Sequence, residues 1–475
     1  MPENGLTIRI RTLTPLWTGG VDGTMDRIHE TGIIGSLRWW YEAIVRGLGG
    51  SACDPTSDGK DRTPKRCPDD GRYCDVCRVF GATGLQRSFK LVASEWWNLH
   101  RESRLTVKVN KNRGWYLGRG FMGEIELALQ ILRLPENWSQ EDLFQTLFLT
   151  MQIISKWGGL GPKTQQGYGI VSATSEKFHL NVEQASQAIE LLKKLHNRRN
   201  INYSKELPSI ENFFFSKIKI DFQGNDPEKW LKSQIKPLDK KSEKEMEWYL
   251  QKLVEKPPVL PLAPIVRYHL RDLIRAQITH GGKSNAPARW QLMGVINGLW
   301  HKNDFGKIVE IDKWHCEKCG RVWDHYPLSK EHRRCNGKPR KKAKCVNCNK
   351  EWNSLKDAQK DEYTEKVEHQ KSLIHVSHAY LVGQNQWEFR IWGWIPDQLE
   401  GGVNRQVVLE HLKNWLGVGV ESKQTCLMDA ENGELWQRIE LNNPKICWME
   451  MQDSKNVRDY LKRLVNFGEI KNDGS

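Results

Sequence analysis

Residues 6–13 read LTIRIRTL, a stretch in which apolar residues alternate with threonine and arginine. Alternation of this kind is typical of a β-strand that buries one face and exposes the other. Residues 33–48 follow a different rule, because their apolar members recur three and four positions apart. That spacing predicts an amphipathic helix, which leaves Arg38, Glu42 and Arg46 on its other face.

Further strands and a second helix are predicted in the same part of the chain. Residues 105–109 and 123–132 have strand patterns. Ser139, with Asp142 three positions later, is an N-cap arrangement that predicts a helix ending at a Gly-Gly pair, and residues 168–172 predict the last strand. The order βαββαβ is the ferredoxin-like arrangement, so we expect an α+β fold, although this fold hosts many functions.

The chain has 475 residues, which is enough for two or three domains. We place an N-terminal ferredoxin-like domain at residues 1–178 and a charged, helical connecting segment at residues 179–258. Residues 259–475 contain a predicted β-hairpin followed by a helix at 405–416. This pattern favours a second, degenerate ferredoxin-like domain, which carries a cysteine-rich insertion at about residues 313–352.

The formal net charge of +14 indicates a polyanionic partner such as nucleic acid. Twelve Lys or Arg residues, against three acids, fall between Lys313 and Lys350. The alternative for this segment is a solvated basic face. The N-terminus has no signal-peptide pattern, and nowhere do about 18 apolar residues follow one another. We therefore expect a cytoplasmic protein with no membrane partner.

Nine of the eleven cysteines form two clusters, which in a reducing compartment favour metal binding over disulfides. The more regular cluster consists of two CxxC motifs, with the cysteines Cys316, Cys319, Cys345 and Cys348. Paired CxxC motifs are typical of one closed, tetrahedral zinc site. Three residues between the motifs are rival ligands: His325, His332 and Cys335.

The other cluster lies in the loop 53–77 and contains one CxxC motif. Its members are Cys53, Cys67, Cys74 and Cys77. The residues between them are polar and rich in turn formers, so the loop cannot bury a core of its own and a structural zinc ion would stabilise it. The alternative is a disordered insertion with free thiols. Neither cluster has the pattern of a hydrolytic centre.

Residues 158–169 read GGLGPKTQQGYG and form a candidate phosphate-binding segment. Backbone amides at glycines can approach an anionic chain closely. Lys163 supplies charge, and Gln165 and Gln166 supply hydrogen-bond donors. The segment has no Walker spacing. The alternative is a tight connection between a helix and a strand.

The motifs LTPLWTGG (13–20), IIGSLRWWYEAIVRG (33–47), CRVFGATG (77–84) and the glycine run 158–169 together resemble the RAMP superfamily of CRISPR-associated proteins. Within that superfamily, the sequence is most similar to the large two-domain RAMP subunit of the type III-B (Cmr) effector. The similarity is specific over the first 170 residues. HVSHAY and EFRIWGWIP are similar to the second domain of that subunit.

The resemblance implies two ferredoxin-like folds in a complex with crRNA, target RNA and other effector subunits. It also implies contact with target RNA near the 3′ end of the guide. The residues that this resemblance and the residue types assign to RNA binding are Arg38, Trp39, Gly159, Gly161, Lys163, Gln165, Gln166 and Tyr168. Trp115 and Tyr116 are further candidates for stacking on bases.

Two other functions stay open. Some RAMP relatives cut RNA without a metal, using an acid in the loop after the first strand or a histidine base. That loop here holds Asp22, Asp26 and His29, which are residue types able to act as general acids or bases, although they are also ordinary solvated loop residues. The third function is an assembly adaptor whose basic segment 313–350 contacts an acidic protein.

Overall fold

A computed structural model gives the structure of the chain. It describes residues 6–20, 24–56, 66–68, 71–94, 99–100, 103–107, 114–117, 120–176, 178, 180–194, 207–222, 226–237, 243–244, 259–279, 286–295, 298–302, 306–316, 318–324, 326–327, 338–346, 348–367, 371–383, 385–419, 428–430, 432–442 and 444–466.

The chain divides into two compact units. Unit 1 comprises Met1–Leu270, Ile374–Asp397 and Leu409–Ser475, and unit 2 comprises Arg271–Leu373 and Gln398–Val408.

The strands of the described residues are β1 (Leu6–Thr12), β2 (Phe89–Ala93), β3 (Leu99–His100), β4 (Ser103–Val107), β5 (Gly114–Leu117), β6 (Gly120–Phe121), β7 (Glu124–Ile131), β8 (Val171–Thr174), β9 (Phe213–Asp221), β10 (Ile235–Pro237), β11 (Val259–Leu260), β12 (Gly298–His301), β13 (Gly306–Cys316), β14 (Val322–Trp323), β15 (Pro339–Cys345), β16 (Glu351–Trp352), β17 (Thr364–Val367), β18 (Ile374–Val376), β19 (Ala379–Gly383), β20 (Gln386–Trp394), β21 (Met428–Asp429) and β22 (Lys445–Glu450). The α-helices are α1 (Glu30–Gly47), α2 (Asp75–Phe80), α3 (Gln140–Trp157), α4 (Val182–Lys194), α5 (Pro227–Gln234), α6 (Ala263–Leu273), α7 (Ala286–Met293), α8 (Leu355–Lys360), α9 (Arg405–Leu416), α10 (Glu434–Arg438) and α11 (Val457–Asn466).

The first sheet of unit 1 has the predicted topology. β1 alternates between buried and more exposed residues, as its sequence predicts. It lies between β7 and β8 and is antiparallel to both, so that Leu6 faces Leu129 and Arg9 faces Thr174. The strand order β2-β7-β1-β8, with α1 and α3 in the two connections, is the ferredoxin-like arrangement. The predicted α+β class is confirmed.

The helix α3 begins where its sequence predicts. The Ser139 side chain accepts a hydrogen bond from the Asp142 amide, and the Asp142 carboxylate accepts one from the Ser139 amide. This reciprocal pair satisfies two amides that the first turn leaves unbonded. The helix ends at Trp157, directly before the glycine run.

The second strand of the first sheet is Phe89–Ala93 and not the predicted residues 105–109. Instead, Ser103–Val107 (β4) pairs with β5 and β10 in a separate three-stranded sheet. An alternating pattern shows that a segment forms a strand, but it does not select the partner strand.

The second sheet of unit 1 repeats the topology of the first. Its strand order is β11-β19-β20-β9-β22-β21, and β18 also pairs with β20. The elements β9, α6, β19, β20, α9 and β22 follow the same βαββαβ order. The predicted helical connection at residues 179–258 is therefore corrected, because Phe213–Asp221 (β9) is the central strand of this sheet.

The two sheets of unit 1 share one hydrophobic core. Trp40 of α1 packs against Phe213 and Phe215 of β9, with ring centroids 5.3 and 6.1 Å apart. Trp157 of α3 also contacts Phe215, at 5.9 Å. Large buried aromatic rings dominate such contacts, so the second sheet packs against the helices of the first domain.

Unit 2 contains an antiparallel sheet in the order β16-β15-β13-β12-β17, with β14 paired to β13. One of its buried clusters is small and comprises Ile308, Ala343, Cys345, Trp352 and Ala358. No helix of the described residues has the length and apolar character needed to cross a membrane.

Candidate nucleic-acid interface and metal centres

The glycine run 158–169 connects α3 to β8, and most of it is buried. Its buried residues are Gly158, Gly159, Leu160, Gly161, Thr164, Gly167, Tyr168 and Gly169. Pro162 is exposed, and the side chains of Lys163, Gln165 and Gln166 are half-buried. The run therefore presents only the short stretch 162–166 to solvent, and Thr164 within it is buried.

Several amides of the run are bonded within the protein. The Leu160 amide donates to the Gly169 carbonyl oxygen at 2.8 Å, and the Gly169 amide donates to the Pro15 carbonyl oxygen at 2.9 Å. The Gly161 amide donates to Ser36 Oγ at 2.8 Å. The expectation that the backbone of this run faces an anionic chain is corrected at these positions, because the amides have protein acceptors.

The second domain holds the run in place. Arg390 Nη1 donates to the Gly158 carbonyl oxygen at 3.0 Å, and the His378 amide donates to the Gly167 carbonyl oxygen at 2.9 Å. Gly167 has a φ of 97°, and a Cβ there would lie 2.7 Å from a ring atom of His378. Glycine is therefore required for this close contact, and these contacts connect the run to the second sheet of unit 1.

Lys163 is the cation that the run brings to the surface. Its Nζ lies 4.2 Å from the centroid of the Trp17 ring, within the range of a cation–π interaction. Partial burial lowers the pKa of Lys163. Gly19 packs so closely on the same indole that a Cβ there would lie 2.1 Å from Trp17 Cη2.

Three of the predicted RNA-binding residues have other partners. Tyr168 is 1% exposed, and its ring lies 5.6 Å from that of His378. Trp39 is half-buried and packs edge-on against Trp40. Arg38 donates to Glu42 Oε1 at 2.8 Å. Gly159 and Gly161, which were also assigned to RNA binding, are buried like Tyr168.

Trp115 and Tyr116 are the other stacking candidates. Trp115 is half-buried, with the Arg267 guanidinium 6.0 Å from its ring. The side chain of Tyr116 lies outside the described part of the structure.

The loop after β1 brings two of the three predicted acid–base residues together. His29 Nε2 lies 2.7 Å from Asp26 Oδ1. The hydrogen bond to His29 lowers the pKa of Asp26. Asp22 lies outside the described residues.

The cysteines of the loop 53–77 form one buried cluster. The Sγ atoms of Cys53, Cys67, Cys74 and Cys77 all lie within 4.8 Å of one another. The Sγ atoms of Cys53 and Cys77 are 3.5 Å apart. Two thiolates bound to one zinc ion at about 2.3 Å each lie about 3.8 Å apart. The predicted cluster is thus brought together with the spacing of a tetrahedral metal site.

The surroundings of this cluster suit thiolates. The Cys74 amide donates to Cys67 Sγ at 3.2 Å, and the Cys77 amide donates to Cys74 Sγ at 3.4 Å. Arg38 Nη2 donates to Cys77 Sγ at 3.1 Å. Amide donors and a nearby guanidinium stabilise anionic sulfur. The predicted RNA-binding residue Arg38 therefore serves the cysteine cluster.

The structure does not bring the two CxxC motifs of unit 2 together. β13 and β15 are antiparallel, so that Cys316 faces Pro339 and Cys345 faces Ile308. Six residues of β15 separate the two ends, a distance of about 20 Å at roughly 3.4 Å per residue. The prediction of one zinc ion shared by Cys316, Cys319, Cys345 and Cys348 is therefore corrected.

The remaining histidines and cysteines considered as metal ligands or thiols differ in their surroundings. His301 lies beside Cys345 and Cys348, and sequence spacing did not indicate it. The rival ligands His325, His332 and Cys335 lie outside the described residues. Cys447, which belongs to neither cluster, is 1% exposed and disulfide-bonded.

Comparisons with known proteins give one family match and several matches to solved structures. No curated protein matches the chain. Among solved structures, the apo form of Cmr1 from Pyrococcus furiosus is 10% identical, with a TM-score of 0.32 over 83% of this chain and 89% of that chain. A chain of the type III-B Cmr-beta complex bound to cognate target RNA is 14% identical, with a TM-score of 0.34 over 83% of this chain and 94% of that chain.

A chain of a type IV-B CRISPR complex is 16% identical, with a TM-score of 0.23 over 37% of this chain and 92% of that chain. TM-scores of this size do not establish a shared function. The sequence family gives the firmer result, because the model of the RAMP superfamily matches residues 9–172. This stretch contains the first ferredoxin-like sheet, the cysteine cluster at 53–77 and the glycine run. Over residues 9–172, the chain therefore matches the RAMP superfamily, the family that its motifs indicated.

Proposed function

We propose that the chain is a non-catalytic RNA-binding subunit of a type III-B CRISPR effector used in antiviral defence. In this role it contacts target RNA near the 3′ end of the crRNA and assembles with other effector subunits. The family match over residues 9–172 supports a place in a CRISPR ribonucleoprotein. The net charge of +14 supports a polyanionic partner.

The observation that carries the proposal is the position of Lys163 over Trp17 at the solvent-facing part of the glycine run. Trp17 fixes the ammonium group, which reduces the entropy that a lysine loses when it contacts a phosphate. Gln165 and Gln166 follow on the same stretch and can donate to phosphate or sugar oxygens. The buried glycines give this stretch its shape and make no contact with RNA.

The open face of the first sheet is a poorer RNA platform. Its β1 residues Arg9 and Arg11 are exposed, and Arg9 pairs with Glu126 at 3.2 Å and with Glu176 at 3.4 Å. RRM domains stack bases on aromatic residues of their sheet, and the central strand β1 (LTIRIRT) has none. We therefore assign RNA contact to the loop edge formed by residues 13–20 and 158–169.

The test is the affinity of the full chain for single-stranded RNA at several salt concentrations, alone and in the assembled complex. The proposal predicts an affinity that falls linearly with salt on logarithmic axes. Affinity that is absent in both states, or that does not respond to salt, would contradict it. If the chain assembles into the complex but has no effect on RNA affinity, the result would favour the adaptor function instead.

We also propose that the cluster of Cys53, Cys67, Cys74 and Cys77 holds structural zinc. Four thiolates close the coordination shell, and borderline-soft zinc matches sulfur ligands. Metal analysis of the full chain should find an ion that Cys74→Ser removes, and the same variant should lower the melting temperature. Equal metal content in Cys74→Ser and the wild type would refute the site.

The Asp26–His29 hydrogen bond favours one rival function, a metal-independent endoribonuclease. A histidine bonded to a carboxylate can act as a general base. Matched RNA should be incubated with the isolated chain and with the assembled complex. The non-catalytic proposal predicts the same RNA integrity for the wild type and the Asp26→Asn variant. Cutting that Asp26→Asn or His29→Gln abolishes would establish the enzyme.

A further inference from the structure

The described residues of the two CxxC motifs of unit 2 make equivalent backbone hydrogen bonds. In the first, the Cys316 amide donates to the Arg321 carbonyl oxygen at 2.8 Å, and the Gly320 amide donates to the Cys316 carbonyl oxygen at 2.9 Å. Gly320 has a φ of 71°. The chain thus turns back on itself directly after the second cysteine.

The second motif repeats this turn at equivalent positions. The Cys345 amide donates to the Lys350 carbonyl oxygen at 2.8 Å, and the Asn349 amide donates to the Cys345 carbonyl oxygen at 3.1 Å. Asn349 has a φ of 63°, a left-handed conformation that asparagine tolerates better than most residues. Each CxxC motif is therefore a preformed turn of its own, at opposite ends of the β13–β15 ladder.

A third ligand lies beside the second turn. His301 ends β12, the strand between β13 and β17. It is 4% exposed, and its Nδ1 lies 3.6 Å from Cys348 Sγ. A nitrogen and a sulfur that share a zinc ion tetrahedrally, at about 2.0 and 2.3 Å, lie about 3.5 Å apart. His301, Cys345 and Cys348 all have ligand atoms within 4.8 Å of one another.

The local fold explains why a metal would be useful there. Among the described residues, the buried cluster around Cys345 is small and includes Trp352 and Ala358. The His301 ring packs edge-on against Trp352, with centroids 5.6 Å apart. A core of this size stabilises a small sheet weakly, and small domains often add a metal for that reason.

We infer that His301, Cys345 and Cys348 bind a zinc-class divalent ion that is separate from any ion held by Cys316 and Cys319. The mixed sulfur and imidazole set matches zinc. The strand register excludes sharing, because the two turns lie about 20 Å apart and zinc–sulfur bonds are about 2.3 Å long. Unit 2 therefore has a metal site built on a histidine that precedes the first CxxC motif.

The experiment counts the zinc ions of the full chain in which Cys316 and Cys319 are both serine. In this background, His301→Ala and the exposed Cys348→Ser should each remove one further ion per chain. His269→Ala, a buried histidine far along the sequence, is the matched control and should remove none. If the variant with serine at positions 316 and 319 has already lost this ion, His301→Ala will remove no further ion. That result would show one shared site and overturn the inference.

A second readout separates coordination from misfolding. After cobalt substitution, His301→Cys should keep the ion and strengthen the sulfur-to-cobalt charge-transfer absorption, because one nitrogen ligand becomes a thiolate. An unchanged spectrum with the ion retained would mean that His301 is not a ligand.

Discussion

Lys163 Nζ lies 4.2 Å from the centre of the Trp17 ring, at the solvent-facing part of a glycine run that is otherwise packed inside the protein. The two residues come from different loops, one after β1 and one after α3. Their contact joins the two loops into one edge. The proposed RNA contact therefore depends on a tertiary pair and not on the glycine backbone.

Replacing Lys163 with alanine should weaken RNA binding and reduce its salt dependence. Each phosphate contact on single-stranded nucleic acid contributes about 0.7 to the slope of log affinity against log salt. Lys163→Ala should lower the slope by about that amount. Lys445→Ala, which removes an exposed lysine from β22, should leave the slope unchanged. Equal slopes for the wild type and Lys163→Ala would contradict the assignment.

Gly19→Ala should reduce RNA affinity without removing any charge. The added methyl group would lie 2.1 Å from the Trp17 ring, so the indole must move away from its place under Lys163. A cation–π contact at a partly exposed site is worth about 0.5 to 1 kcal/mol, or roughly a twofold to fivefold loss of affinity. Gly35→Ala is the control, because a Cβ there meets no atom within 4 Å. The measurement is RNA binding at fixed salt, and equal losses in both variants would count against the pair.

Arg38→Met should destabilise the first domain and loosen its cysteine site. The guanidinium bonds both Cys77 Sγ and the buried Glu42. Removing one partner of a buried ion pair costs about 3 to 5 kcal/mol. Here Arg46 also pairs with Glu42, at 3.3 Å, so the loss should fall at the lower end. Arg11→Met on the exposed face is the control.

Two measurements check the Arg38 prediction, the free energy of unfolding and the rate at which a chelator removes the metal. Faster metal release from Arg38→Met than from Arg11→Met is expected. Arg38→Lys should restore only part of the effect, since an ammonium cannot reproduce the planar fork. Unchanged metal release, with loss of stability alone, would limit Arg38 to a packing role.

Acid should weaken the anchoring of the glycine run through His375. Its Nδ1 lies 2.9 Å from Thr164 Oγ1, and burial, reinforced by Arg267, lowers its pKa to about 3. The unfolded chain binds the proton near pH 6.5. The stability from neutral His375 is thus present above pH 6.5 and is lost as the pH falls toward 3.

The measurement is the free energy of unfolding of the wild type and of His375→Asn between pH 7 and pH 4. Asparagine can bond Thr164 but cannot take up the proton. Below about pH 6, the wild type should lose up to about 1.4 kcal/mol more per pH unit than the variant. Parallel curves for the two proteins would disprove the role of His375.

The sequence predicted the parts of the fold that local patterns control. The alternation of LTIRIRT and the capping pair Ser139 and Asp142 gave β1 and α3 correctly. The partner of a strand depends on contacts far along the chain, so residues 105–109 were assigned to the wrong sheet. Phe213–Asp221 was missed because its surroundings are charged and helical in pattern.

The candidate sites, like the fold, were predicted correctly only where local sequence features define them. The cysteines at 53–77 were found from their residue type and loop composition, and the structure gathers them. The surroundings of the other candidate residues depend on tertiary contacts, which local sequence patterns do not reveal. Tyr168 is buried because the second domain supplies His378. His301 was missed because it lies 44 residues before Cys345 and belongs to no local motif.

The central claim is that the edge formed by residues 13–20 and 158–169 contacts RNA. Photocrosslinking of target RNA in the assembled complex, followed by identification of the crosslinked peptides, tests it most directly. The proposed function predicts crosslinks in these two segments, with a strong loss at 158–169 in Lys163→Ala. Efficient crosslinks elsewhere in the chain, with none in either segment, would contradict it.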